Sequence, residues 1–276
     1  MKTISAKLAL MSVGLLFSIL TVAFRVEAGG GVHTVNCNQG KTIQDALDKA
    51  NDADTIEVLG ACNENIIIEN NRITLKAING ATLTASNPAA RTILIRGLNT
   101  KILDFASISG GNTVIGVQRG SSAIIQNNTI EGGSEGGILV NQSSYGRIIG
   151  NVIQNHLGAF SDGITVRQSA SADIFSNTIS GNGGRGVNVQ DGAVADIDNN
   201  TIINNGSDGI QVARTSHVRL SEDPDFGQPN HIHGNGAAGV RCVINSSIRS
   251  GAAQDFTGGN TGGDTDTPGC SISGTL

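Results

Sequence analysis

The chain has 276 residues, 38 of them glycine, with no tryptophan, one tyrosine and a formal net charge of −5 at pH 7. It carries no basic block, which argues against nucleic acid as a partner and against electrostatic attachment to an anionic membrane. So few large aromatic side chains argue against a conventional globular core and point to small aliphatic residues packed in a repeating arrangement.

Residues 1–28 have the pattern of an export leader. Lys2 and Lys7 form a basic start, an apolar run spans 8–24, and small residues end the segment at Ala28. At 17 residues the run lies between a signal core and a membrane span, so a retained anchor is the alternative to cleavage. Cleavage would leave residues 29–276 as a single domain with 15 basic and 22 acidic residues, a net charge of −7. Secretion, extracellular or periplasmic, is the expectation, with no membrane attachment afterwards.

In an oxidising compartment Cys37, Cys62, Cys242 and Cys270 are expected to form disulfides. Of the three pairings, Cys37–Cys62 and Cys242–Cys270 are chosen because each is local and near one end. The long spacings lack the close C-x-x-C pairs of a zinc site.

Residues 42–50, "TIQDALDKA", predict a capping helix. Ile43, Ala46, Leu47 and Ala50 share one helical face, Thr42 is the cap, and Asp45 complements the positive end. Short strand-like runs with loose spacing follow: "TIEVLG", "NIIIEN", "RITLKA", "RTILIRG" and "AIIQ".

From residue 127 onward a phrase repeats. Aligned on Gly137, Gly163, Gly186, Gly209 and Gly239, its copies are 26, 23, 23 and 30 residues apart, inside the solenoid range. Aliphatic residues alternate after each glycine, as in Ile164 and Val166 or Val187 and Val189, which predicts strands with one buried face. Two more short strands complete each turn, giving a coil of parallel strands about 4.8 Å apart. Asn128, Asn151, Asn177 and Asn200 form one predicted column, suited to left-handed corners and to stacked amide bonding. Asn155, Asn182, Asn205 and Asn235 form a second. The tail, 251–276, is expected to close the far end, with "GGNTGGDTDTPGC" as a loop stapled across the core.

These motifs resemble the right-handed parallel β-helix proteins of the pectin-lyase-like superfamily. The opening from Cys37 to Ile68 is similar to that of exported members, and the repeats from Asn128 to Val243 resemble the family's parallel β-helix repeat. The resemblance implies an all-β, right-handed parallel β-helix with three short strands per coil and an N-terminal capping helix. It says little about function, because one fold hosts many chemistries.

Members that act on polysaccharides do so from the outward face of one parallel sheet. The corresponding positions here include Thr165, Arg167, Asn188, Gln190, Gln211 and Arg241, with Leu139, Asn141, Ala213 and Val243 at the ends of the strip. Amides and a hydroxyl suit sugar hydroxyls, and arginine suits uronate carboxylates; alternation alone also accounts for polar residues facing water. The near absence of Trp and Tyr argues against a stacking site for neutral sugars.

Beside the strip Asp162, Arg185 and Asp208 fall on successive turns. They are either an acid–base set or calcium ligands with a polarising arginine, or a charge ladder between turns. "FSDGITV" faintly resembles a polygalacturonase segment, but the accompanying Gly-Asp-Asp, Gly-His-Gly and Arg-Ile-Lys segments are absent. The paired aspartates of pectin methylesterases are absent too, and "EDPDF" at 222–226 has Asp225 where alginate epimerases have histidine. Glu222, Asp223 and Asp225 offer calcium ligands or a solvated loop, and His231 and His233 supply too few ligands for a closed metal site.

The expectation is a monomer, without a resident cofactor unless calcium, that binds acidic polysaccharide of the uronate type, with modification of that polymer as the further step. Any enzyme activity would be of the lyase, epimerase or hydrolase kind. The alternative is a non-catalytic extracellular scaffold or adhesin.

Overall fold

The computed structural model describes residues 30–222 and 227–276. The expected leader, and Asp223 and Asp225 of the candidate calcium loop, lie outside the described residues. No described helix is long and apolar enough to cross a membrane.

The chain winds as a parallel β-solenoid with three sheets of eleven, nine and eight strands among the described residues. Eight successive turns contribute one strand to each sheet, the terminal turns add the remaining strands, and strands pair in parallel with those one turn before and after. Thus Gly136–Val140, Asp162–Arg167 and Val187–Gln190 lie side by side, with Ile138, Ile164 and Val187 in register. Alternation places these aliphatic residues inward, where they are fully buried or nearly so and form one continuous core. The coil begins well before the tidy repeats. The looser early runs already form its turns, Thr55–Leu59, Ala61–Asn63 and Ile66–Ile68 being the first set of three.

The first asparagine column is present and longer than the sequence suggested. Each Oδ1 accepts both the backbone N–H and the side-chain Nδ2–H of the asparagine one turn earlier. The chain of bonds runs Asn128–Asn151–Asn177–Asn200–Asn230 at 2.9–3.1 Å and ends on Gln254 Oε1. The left-handed residue at this corner is not the ladder asparagine but the one before it: Asn127, Gly150, Ser176 and Asn199 have φ of 55–63°. The second column departs by one residue from expectation. His156, not Asn155, stands at its start, followed by Asn182, Asn205, Asn235 and Asn260. Asn155 (φ 58°) is instead the left-handed residue preceding the column, as Asn204 and Gly234 are in later turns.

The repeated glycine has its reason in this second column. A Cβ on Gly163 would lie 2.6 Å from Ile179 Cγ2 and 2.9 Å from Asn182 Nδ2, so any side chain there would displace the ladder.

Both ends are closed. The helix is Ile43–Leu47, shorter than the predicted 42–50, with a final turn reaching Ala50; Thr42 Oγ1 accepts the Asp45 N–H as its cap. Glu64 accepts the Ile43 and Gln44 N–H groups. Gln44 in turn bonds both the N–H and the carbonyl of Ile67, blocking the exposed edge of the nine-stranded sheet. At the far end the expected loop contains a strand, Thr265–Asp266, and Ser271–Gly274 just beyond it adds another. The disulfides are Cys37–Cys62 and Cys242–Cys270, as expected.

Candidate functional site

The outward face of the nine-stranded sheet presents, turn by turn, Leu94, Gly116, Leu139, Thr165, Asn188, Gln211 and Arg241 in register. Arg167 and Gln190 are paired beside them in a second column. Over the central part of this face lies a groove of about 370 Å³. Thr165, Arg167, Asn188 and Gln190 line it, together with Asp162, Arg185, Arg91, Glu135, Arg214 and Phe160. Gln211, Arg241 and Asp208 do not; Gln211 is largely buried and Arg241 faces Asp266 at 3.5 Å.

The column Asp162–Arg185–Asp208 is closely engaged within the fold. Asp162 Oδ1 accepts the Arg185 backbone N–H at 2.8 Å, and its Oδ2 accepts from Asn188 Nδ2 at 2.8 Å and Thr165 Oγ1 at 3.2 Å. Asp208 Oδ1 accepts the Ala238 N–H at 3.1 Å, so each carboxylate bonds the backbone of the following turn. The Arg185 guanidinium sits between them, 3.6 Å from Asp162 and 3.8 Å from Asp208. Burial raises the pKa of Asp208 above the usual carboxylate value, opposed by its bond to Ala238 and by Arg241 and Arg185. These contacts tie successive turns together.

Arg91 and Arg167 are different in that neither enters an ion pair among the described residues; the Nε of each, like that of Arg185, is buried without a hydrogen-bond partner. Arg91 reaches the face because Gly116 is in its path: a Cβ there would stand 2.5 Å from Arg91 Cδ and 2.6 Å from its Nε. The pKa of Arg91 is lowered, chiefly by desolvation; Arg167 and Arg96 add to the lowering and Glu135 opposes it. Asn188 adds an acceptor. Its Nδ2 is committed to Asp162, and its buried Oδ1 has no partner.

Four arginines and two carboxylates therefore line one groove of a chain whose net charge is negative. Arg185 and Arg214 are paired, the latter with Asp191 at 3.2 Å, leaving the positive excess on Arg91 and Arg167. Arg91, Phe160 and the Gly116 passage went unnoticed in the sequence. Arg91 precedes its strand, and Phe160 lies in the extra length of a 26-residue turn.

The other candidates do not assemble into metal sites among the described residues. His231 bonds Asp255 at 2.6 Å, and Glu222 pairs with Arg249 at 2.7 Å. The cluster of ligand-type atoms formed by Cys37, Cys62 and Glu64 contains a disulfide. Asn141, which opens an Asn-Gln-Ser sequon, is buried.

A profile of the right-handed β-helix region matches residues 78–224, more than half of the chain. The chain belongs to the right-handed β-helix family. Among solved structures this β-helix is similar to pectate lyase Pel9A, with a TM-score of 0.67, 12% identity, and 88% of this chain and 78% of that one covered. It is also similar to an alginate lyase from Paenibacillus sp. str. FPU-7, with a TM-score of 0.52, 15% identity, and 87% and 99% covered. At such identities the likeness is one of fold. Comparison with curated proteins gives no match.

Proposed function

We propose that this exported β-helix binds a linear acidic polysaccharide, of the uronate type, along the groove of its nine-stranded sheet. The observation that carries this reading is the pair of arginines that enter no ion pair among the described residues, Arg91 and Arg167, each with a buried Nε, facing only Glu135 in an otherwise acidic protein. A planar guanidinium freed of internal carboxylates matches a carboxylate bidentately, and partial burial strengthens the pairing. The unpartnered Oδ1 of Asn188 accepts from a sugar hydroxyl, and Thr165 and Gln190 extend the polar lining. The groove crosses several strands at about 4.8 Å each, a length suited to a chain of sugars rather than one. The names of the two structural neighbours, lyases of pectate and of alginate, agree with a polyuronate. The disulfides agree with an oxidising, extracytoplasmic compartment.

Binding is the assigned role. Both oxygens of Asp162 are already occupied by Arg185, Asn188 and Thr165, and Asp208 lies outside the groove. The test is titration of polygalacturonate and alginate into the disulfide-intact protein and its Arg91→Ala/Arg167→Ala variant. Loss of two charge-assisted contacts predicts about a hundredfold weaker binding with an unchanged melting temperature. Binding that survives the double substitution would remove the groove from consideration.

A further inference from the structure

We infer that Phe160 is a platform for the apolar face of a pyranose ring, so that the groove recognises a sugar polymer and not merely a polyanion. This deepens the acidic-polysaccharide reading and rests on it. Phe160 is 85% exposed, the highest value among the large hydrophobic side chains of the described residues. Leu157 on the same turn is 79% exposed, but only Phe160 lines the groove, alongside Asp162, Thr165 and Arg167.

The turn that carries it is tied down. Ser161 Oγ donates to the Ser134 carbonyl of the turn below at 2.7 Å, and the Ser161 N–H closes on Gly158 at 2.9 Å. From the turn above, the N–H groups of Gly183 and Gly184 reach the carbonyls of His156 and Ser161 at 2.7 and 3.1 Å. An aromatic side chain is thus held on an anchored loop at the wall of a cationic groove while remaining open to solvent. The geometry fits a ligand that is charged at one edge and apolar on one face. A uronic acid ring has both, its carboxylate for Arg91 and Arg167 and its axial C–H face for an aromatic ring. A flexible polyanion has only the first.

The test compares two carboxylate polymers, polygalacturonate with rings and polyacrylate without, against wild type, Phe160→Ala and Leu157→Ala, by calorimetric titration. A stacking contact predicts that Phe160→Ala weakens polygalacturonate binding about fivefold to tenfold, leaves polyacrylate binding unchanged, and that Leu157→Ala alters neither. Because the side chain is exposed, all three proteins should melt alike. Equal binding of polygalacturonate by wild type and Phe160→Ala would overturn the platform while leaving the groove intact. Equal losses for both polymers, or from Leu157→Ala, would overturn it as well. Failure of wild type to bind polygalacturonate would overturn the acidic-polysaccharide reading itself, and the platform with it.

Discussion

Acidification from pH 7.5 to 4.5 should destabilise this solenoid through His156. The ring is fully buried at the start of the second ladder, and its Nδ1 accepts the Gly133 N–H at 2.9 Å. Desolvation holds its pKa down from 6.5 to about 4, with Glu131 in the opposite direction. The neutral form is the native one. Above pH 6.5 the ring is neutral in both folded and unfolded chains and contributes no pH dependence. Between 6.5 and about 4 the unfolded chain takes up a proton that the folded chain refuses, so stability falls as the pH falls. Below about 4 both states are protonated and the loss levels off. A shift of this size corresponds to about 3 kcal/mol at the plateau, most of it lost by pH 4.5. Urea unfolding of wild type and His156→Asn at pH 7.5 and 4.5 isolates the effect. Asparagine restores the ladder's usual residue and has no titration, so the variant should lose about 2 to 3 kcal/mol less than wild type between the two pH values. Identical pH dependence in the two proteins would refute the buried neutral histidine.

Three further outcomes follow from the same contacts. Asn200→Ala removes an amide that donates to Ile174 and Asp198 and accepts twice from Asn177. Stranding several buried groups should cost at least about 3 kcal/mol in urea unfolding. Gly116→Ala puts a methyl group against the Arg91 side chain, which can swing away; it should weaken uronate binding severalfold in titration while leaving the melting temperature nearly unchanged. Cys270→Ala opens a disulfide with a sequence separation of 28 residues. The chain-entropy estimate is a loss of about 3.5 kcal/mol, and limited proteolysis should then cut between the strand Ser247–Ser250 and the C-terminus before touching the central turns.

The coil was legible because its physical demands recur at a fixed interval. Gly163, Gly186 and Gly209 leave room for the ladder amides, and the aliphatic residues after them fill the core, so each turn repeats the same letters. The start of the second ladder was misread because Asn155 and His156 are adjacent and the imidazole performs an asparagine's task. The groove was legible only in part. Alternation picks out Thr165, Arg167, Asn188 and Gln190, but it equally picks out Gln211 and Arg241, which lie beyond the groove. What bounds the groove comes from outside the period: Arg91 arrives from a turn across Gly116, and Phe160 stands on added length. A repeat predicts what every turn shares, while a site is built from what single turns do differently.

The measurement that tests the central claim most directly is binding of the disulfide-intact protein to immobilised polyuronates and neutral glucans side by side, at low and high salt. Retention on polygalacturonate or alginate that weakens with salt, with no retention on neutral glucan, is the predicted result. No retention on either polyuronate, or equal retention on neutral glucan, would contradict a groove built around Arg91 and Arg167.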